Sequence, residues 1–230
     1  MALKSDLTNE VWKILQSGWT TRNGNVVPES EDINLKNDAV KLDGTVFYAD
    51  LSESIAMVDS FSATFSAEVY KCYLHCAAKI VTAEGGVITA YDGDRLMAVF
   101  LGGMKNTHAV RSALKLKYAV DEIINPLVEA QYPTGPYTIK QVVGVDTSPL
   151  FIARTGIRGS NDLVWIGRAS NHAAKLSALT GFSSWISAEV YNVMNDSVKI
   201  GSRGEQMWKA HTWNAMKNRS IYASNWRYQI

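Results

Sequence analysis

Thr45-Val46-Phe47-Tyr48-Ala49-Asp50-Leu51 and Gly85-Gly86-Val87-Ile88-Thr89-Ala90-Tyr91-Asp92-Gly93-Asp94 are the two stretches on which the fold turns. Each reads as a β-branched and aromatic run that ends at an aspartate. Side chains alternate along a strand, so Val46, Tyr48 and Asp50 share one face, with Tyr48 aimed into the same cleft as Asp50. Asp92-Gly93 between apolar runs at 87–91 and 96–101 is a hairpin signal that sets Asp94 at a strand mouth. With the Asp50 strand beside this hairpin, two carboxylates meet at one sheet edge. Such a pair repels unless a cation lies between its members, and hard oxygen ligands suit magnesium or manganese. Taken singly, each aspartate has an ordinary reading, Asp94 as a turn residue and Asp50 as a strand end or helix-entry cap.

Working outward, residues 5–16 read as an amphipathic helix capped by Ser5 or Asp6, with Val11, Ile14 and Leu15 as its stripe. Residues 18–43, with Asn23-Gly24 and Pro28, read as an arm laid over the domain. Ser54 is expected to cap one long helix to about residue 82, its stripe running Val58, Phe61, Phe65, Val69, Cys72, Cys76 and Ile80. Gly102-Gly103 leads to a second helix with Val110, Ala113, Val120, Ile124 and Leu127 buried, ended by Pro133 and Pro136. Strands are expected at 139–145 and 150–153, then a loop through Gly156 and Gly159, a third helix from near Arg168 to about Leu179, and a short strand at 182–186. The order strand, helix, strand, strand, helix, strand predicts an α+β fold with a ferredoxin-like βαββαβ core. The expected organisation is a helix and arm at 1–43, a main domain at 44–210 and a tail at 211–230 packed on it.

The bulk numbers exclude more than they assign. The chain of 230 residues can bury a substantial core, and 47% hydrophobic with 20% charged residues is ordinary for a globular protein. A net charge of +1 gives no footprint for nucleic acid or an anionic membrane. No apolar run has bilayer length and the N-terminus lacks a signal-peptide core, so the expected location is cytoplasmic. Cys72 and Cys76 read as buried reduced thiols, which fits a reducing compartment. The four histidines have no zinc or catalytic-triad spacing, and no phosphate-binding Gly-Lys loop occurs.

Two further segments carry polar groups. Leu51-Ser52-Glu53-Ser54 lies at a predicted helix entry and reads either as a plain cap or as a phosphate cradle. In Trp165-Ile166-Gly167-Arg168-Ala169-Ser170-Asn171-His172-Ala173-Ala174-Lys175, Asn171 and Lys175 lie on one helix face. They read either as a solvated pair or as transition-state stabilisers, and Gly167 permits close approach of a ligand.

Together these segments resemble the class III nucleotidyl cyclase domain, over about 45–180 with a weaker match near Ser202-Arg203-Gly204. The whole chain, through Arg22-Asn23-Gly24-Asn25-Val26-Val27-Pro28 and Leu35-Lys36-Asn37-Asp38-Ala39-Val40, resembles the stand-alone pyrimidine cyclases of bacterial Pycsar anti-phage systems. The resemblance implies metal ligation by Asp50, the Leu51 carbonyl and Asp94, with a pair of Mn²⁺ or Mg²⁺ ions per site. It implies catalytic roles for Asn171 and for Lys175, where the family usually has arginine. Contacts to substrate are implied for Tyr48, Ser52, Glu53, Ser54 and Arg203. Adenylate cyclases place a lysine and an acid where this chain has Ala90 and Val164, and neither of these can pair with a purine edge. The implied reaction is UTP, or less often CTP, to its 3′,5′-cyclic monophosphate and pyrophosphate, in a head-to-tail homodimer whose composite sites draw on both chains. The implied product activates a separately encoded effector. A purine cyclase with an unusual pocket, an inactive nucleotide-sensing module and a ferredoxin-like nucleic-acid binder are the rival readings.

Overall fold

The computed structural model describes residues 2–135 and 137–230, so Pro136, an expected helix stop, lies outside the described residues. In order along the chain come α1 (Ala2–Gln16), β1 (Thr20–Asn23), β2 (Asp38–Ser52), α2 (Ser54–Ser60), α3 (Ala63–Ala83), β3 (Val87–Asp92), β4 (Arg95–Phe100), α4 (Lys105–Ala119) and α5 (Asn125–Gln131). Then follow β5 (Lys140–Ile157), β6 (Ser160–Ile166), α6 (Arg168–Leu176), β7 (Ser184–Ser187), α7 (Ala188–Val193), β8 (Lys209–Trp213) and β9 (Arg219–Ser224). A π-helical turn, Val120–Ile124, joins α4 to α5. The residues group into two compact units: one holds the chain up to Asp43 together with Pro149–Gly167, the other holds Gly44–Ser148 and Arg168–Ile230.

In the larger unit the sheet runs β3-β4-β2-β5-β7-β9-β8, and its first four members have the strand order of a ferredoxin-like core. Phe47, Ala49 and Leu51 of β2 alternate with outward residues and bury themselves with Leu96, Ala98 and Phe100 of β4 and Val143 and Val145 of β5. Phe65, Val69, Tyr73 and Ala77 of α3 and Val110 and Ala113 of α4 complete this core. Val142, one residue from Val143, faces the other way and packs with Leu176 of α6, Trp185, Trp213 and Ile221. Both faces of the sheet are therefore covered here, where helices were expected on one. Gly144 makes the second packing possible: a Cβ there would lie 2.0 Å from the Ala173 carbonyl oxygen and 2.6 Å from the Ser177 nitrogen.

Several expected elements take a different form. The long helix after Asp50 is two helices. It breaks at Phe61-Ser62, where Ser62 accepts a hydrogen bond from the Phe65 amide and caps α3. Ser54 is not a cap, because Glu53 holds that position in the left-handed region, φ 62°, without a capping bond. The buried stripe of α3 passes through Tyr73 and Ala77, leaving Cys72 exposed and Cys76 only partly covered. Val58 and Leu127 are exposed as well. The two strands expected at 139–145 and 150–153 are one strand, β5, running through Pro149, and the expected Gly156–Gly159 loop is the turn of a β5–β6 hairpin. The expected tail at 211–230 supplies most of β8 and all of β9, with β9 pairing along β7 and β8 along β9.

In the smaller unit, Ser5 and Asp6 lie inside α1, which buries no residue. The arm contributes structure of its own. Its β1 pairs in parallel with Asp38–Lys41 of β2, Ile33, Ala39 and Leu42 are buried, and Trp19 packs edge-on against Phe151 at 5.2 Å.

Gly144→Ala is expected to cost about 1–3 kcal/mol, because backbone atoms of α6 have to move to admit the methyl group. Urea denaturation of the variant against the parent chain measures it.

Candidate active site

β2 pairs antiparallel with β4 in a register that sets Tyr48 against Met97 and Ala49 against Leu96. The next step along the ladder brings Asp50 to Arg95, whose Nε lies 3.2 Å from Asp50 Oδ2. Asp94 precedes Arg95 in the two-residue turn between the paired Asp92 and Arg95, and Gly93 supplies the positive φ, 61°, that this turn needs. The two carboxylates thus come from adjacent strands at one sheet edge, close enough for the Asp94 charge to act on Asp50. Burial pushes the Asp50 carboxyl above the usual carboxylate range. The Arg95 guanidinium pulls it down, and Asp94 pushes it up again.

A cleft of about 850 Å³ opens at this edge, lined by Asp50, Asp94, Arg95 and the Leu51–Ile55 segment. Leu51 has its side chain in the core, 2% exposed, so it offers the cleft its backbone. Ser52, Glu53 and Ser54 all line the cleft, and Glu53 is held by Lys140 at 3.2 Å. Lys117, Asp121 and Gln141 lie along the remaining wall. Tyr73, fully buried, donates to the Asp50 carbonyl oxygen at 3.2 Å and ties α3 to this strand end.

The donor set fits a hard cation. Asp94 Oδ2 is buried and has no hydrogen-bond partner, which is costly for a carboxylate oxygen unless a cation meets it. Among the described residues no group of three or more His, Cys, Asp or Glu side chains could hold a metal, so further ligands would come from backbone, substrate or water.

The other expected residues fall in three places. Tyr48 shares the sheet face of Asp50, where burial and the Asp92 charge push its phenol up and Arg95 pulls it down. Met97 stands between Tyr48 and Ala90 as the cross-strand partner of each, which puts all three in one row although Tyr48 and Ala90 do not line the cleft. Val164 is on β6 opposite Ala153, in the smaller unit. Asn171 and Lys175 are exposed on one face of α6, with His172 and Leu176 on its buried face, and neither lines the cleft of its own chain. Lys175 Nζ lies 3.8 Å from Met216 Sδ. Arg203 is exposed in the turn between Ile200 and Gln206, its amide bonded to Glu205, and is not brought to the cleft.

The sequence reading missed Arg95 and Tyr73. Arg95 carried a signal, since it ends the Asp92-Gly93-Asp94 turn and hairpin pairing directs it across the strand. Tyr73 carried one in its stripe position, between Val69 and Ala77.

Known proteins close the argument. No protein-family model matches the chain. The uridylate cyclase of Xanthomonas perforans is 50% identical over 231 residues, covering 100% of both chains. The uridylate cyclase of Burkholderia cepacia is 45% identical over 232 residues, again covering 100% of both. Among solved structures, the adenylyl cyclase CyaB of P. aeruginosa superposes with a TM-score of 0.66 at 18% identity, over 81% of this chain and 95% of that one. A bacterial light-regulated adenylyl cyclase superposes at 0.69 and 17% identity, over 84% of this chain and 54% of that one. The α+β sheet thus has the fold of solved nucleotidyl cyclase structures, and the chain belongs to the family of the Xanthomonas perforans and Burkholderia cepacia uridylate cyclases.

Proposed function

We propose that the chain converts UTP to 3′,5′-cyclic UMP and pyrophosphate. The carrying observation is Asp50 beside Asp94 in a cleft, with one Asp94 oxygen buried and unpartnered. Full-length identity to uridylate cyclases supports the base assignment. Asp50, Asp94 and the Leu51 carbonyl would hold a pair of magnesium or manganese ions. Such ions supply charge that acidifies the ribose 3′-hydroxyl and offsets the triphosphate. Ser52, Glu53 and Ser54 serve the phosphate end. Ala90 and Val164 carry no group for a purine edge, and Tyr48, in the row of Ala90, faces the pyrimidine or ribose.

Asn171 orients the ribose, and Lys175 offsets charge on the α-phosphate as the 3′-oxygen attacks in line and pyrophosphate leaves. Their position outside the cleft of their own chain supports a head-to-tail homodimer in which each site takes its aspartates from one chain and its α6 from the other. Arg203, outside the cleft of its own chain, would contact the triphosphate from the partner in that arrangement. The proposal extends to a cytoplasmic enzyme whose product is a second messenger for a separately encoded anti-phage effector. That part rests on the family resemblance. Among the described residues no helix is long and apolar enough to cross a membrane.

Incubation of the purified chain with ATP, GTP, CTP and UTP in manganese, with products resolved by chromatography and mass, is expected to give cyclic UMP as the main product. Cyclic CMP as the main product would change the base, and cyclic AMP or GMP would overturn the reading of Ala90 and Val164. Asp50→Ala and Asp94→Ala are each expected to lower kcat by more than about 100-fold without loss of fold. Full activity in either variant would remove that carboxylate from the site. Verified heterodimers of Asp50→Ala and Asn171→Ala chains are expected to recover part of the activity through one intact site, and silence there would argue against shared sites.

A further inference from the structure

One cluster in the larger unit has no place in the reaction as derived so far. Asp146 of β5 has a side chain with no solvent exposure. Its Oδ2 accepts from Arg168 Nε at 3.2 Å and lies 3.2 Å from His172 Nδ1. Its Oδ1 accepts from the Thr147 amide at 2.8 Å and from Arg168 Nη2 at 3.4 Å. Arg168 also donates to the Thr147 carbonyl at 2.6 Å and to Glu189, which Arg219 holds from the other side. Two carboxylates and two guanidiniums close the charge among themselves. His172 need not be protonated, and burial pushes its imidazole below the ordinary range, so a neutral ring donates its Nδ1–H to Asp146.

A buried carboxylate is costly unless fully paired, so removing one member of this cluster leaves the others uncompensated and ties their geometry together. Arg168 and His172 are four apart in the sequence and therefore stack on one face of α6. Asn171 and Lys175 have the same spacing on the exposed face. A helix packed by small residues against Gly144 can slide or roll, because Ala173 offers little to interlock. Two polar anchors a turn apart, both on one rigid strand carboxylate, remove the roll. Ser148, which accepts from the Ala169 amide at 3.0 Å, fixes the start of the helix.

We infer that Asp146 is a positioning residue for cyclisation: through Arg168 and His172 it sets the rotation of α6 on β5, and with it the aim of Asn171 and Lys175. The inference rests on the roles proposed above for Asn171 and Lys175. It places Asp146 in the half-site of α6, not in the half-site of the metal carboxylates, although the strand that carries it belongs to the same sheet as Asp50.

The test pairs full-length chains in verified heterodimers. Asp50→Ala with Asn171→Ala is the control, and it is expected to recover activity. Asp146→Asn with Asp50→Ala is expected to recover to a similar degree, and Asp146→Asn with Asn171→Ala is expected to stay silent. Recovery in the last pair, or silence in the second while the control recovers, overturns the inference. Silence in the control overturns shared sites and the inference together. His172→Leu keeps the charge balance and covers the case of an Asp146→Asn chain that does not fold. It is expected to lower kcat about tenfold with KM unchanged, the scale of a small misplacement of catalytic groups. His172→Gln, which still has a donor for Asp146, is expected to recover most of that loss. Equal loss in both variants, or a loss carried by KM, would make the cluster merely structural.

Discussion

Holding two like charges together in a half-buried place is costly, and the register of β2 on β4 does this at Asp50 and Asp94. The rest of the larger unit is arranged around that cost. Phe47, Ala49 and Leu51 lock β2 into the core through the alternate positions, so the strand cannot slip by one residue without reversing its faces. Gly93 makes the turn that delivers Asp94, and Tyr73 fixes the strand end from below. Arg95 neutralises part of the charge. It also occupies Asp50 Oδ2, so a cation binding there as proposed would have to displace this side chain.

The sheet works on both faces because adjacent residues of β5 serve different partners. Val143 and Val145 belong to the core under α3 and α4, while Val142 and Gly144 receive α6. One strand thus braces two things at once, the core beneath β2 through Val143 and Val145 and the seat of α6 through Val142 and Gly144. The tryptophans Trp185 and Trp213 follow from this: a second face needs a second core, and large flat rings cover it with few residues.

How much of this the sequence disclosed depends on range. The alternation at 45–51 and the Asp92-Gly93 turn are local signals, and with them came the βαββαβ order and the meeting of Asp50 with Asp94. The break at Phe61-Ser62 was hidden because Phe61 and Phe65 keep helical spacing across it, and they still stack at 4.6 Å. Pro149 hid the continuity of β5, since proline removes a ladder donor and reads as a strand end. The strands at 209–213 and 219–224 were illegible because what makes them strands is the open edge of β7, which no local pattern announces. Asp146 escaped for the same reason: its side-chain partners Arg168 and His172 lie more than twenty residues away, and its burial is decided only when α6 docks.

The smaller unit is assembled from two pieces, the chain up to Asp43 and the segment Pro149–Gly167, with residues 44–148 between them. A ribosome releases the first piece long before the second exists. During that interval Trp19 has no Phe151 to pack against, and the Ile33 carbonyl has no Arg154 to bond. The nascent arm, led by a helix with an apolar stripe and no buried residue, must wait in solution for its own completion. Vectorial synthesis therefore leaves this region incomplete until residues 149–167 have emerged.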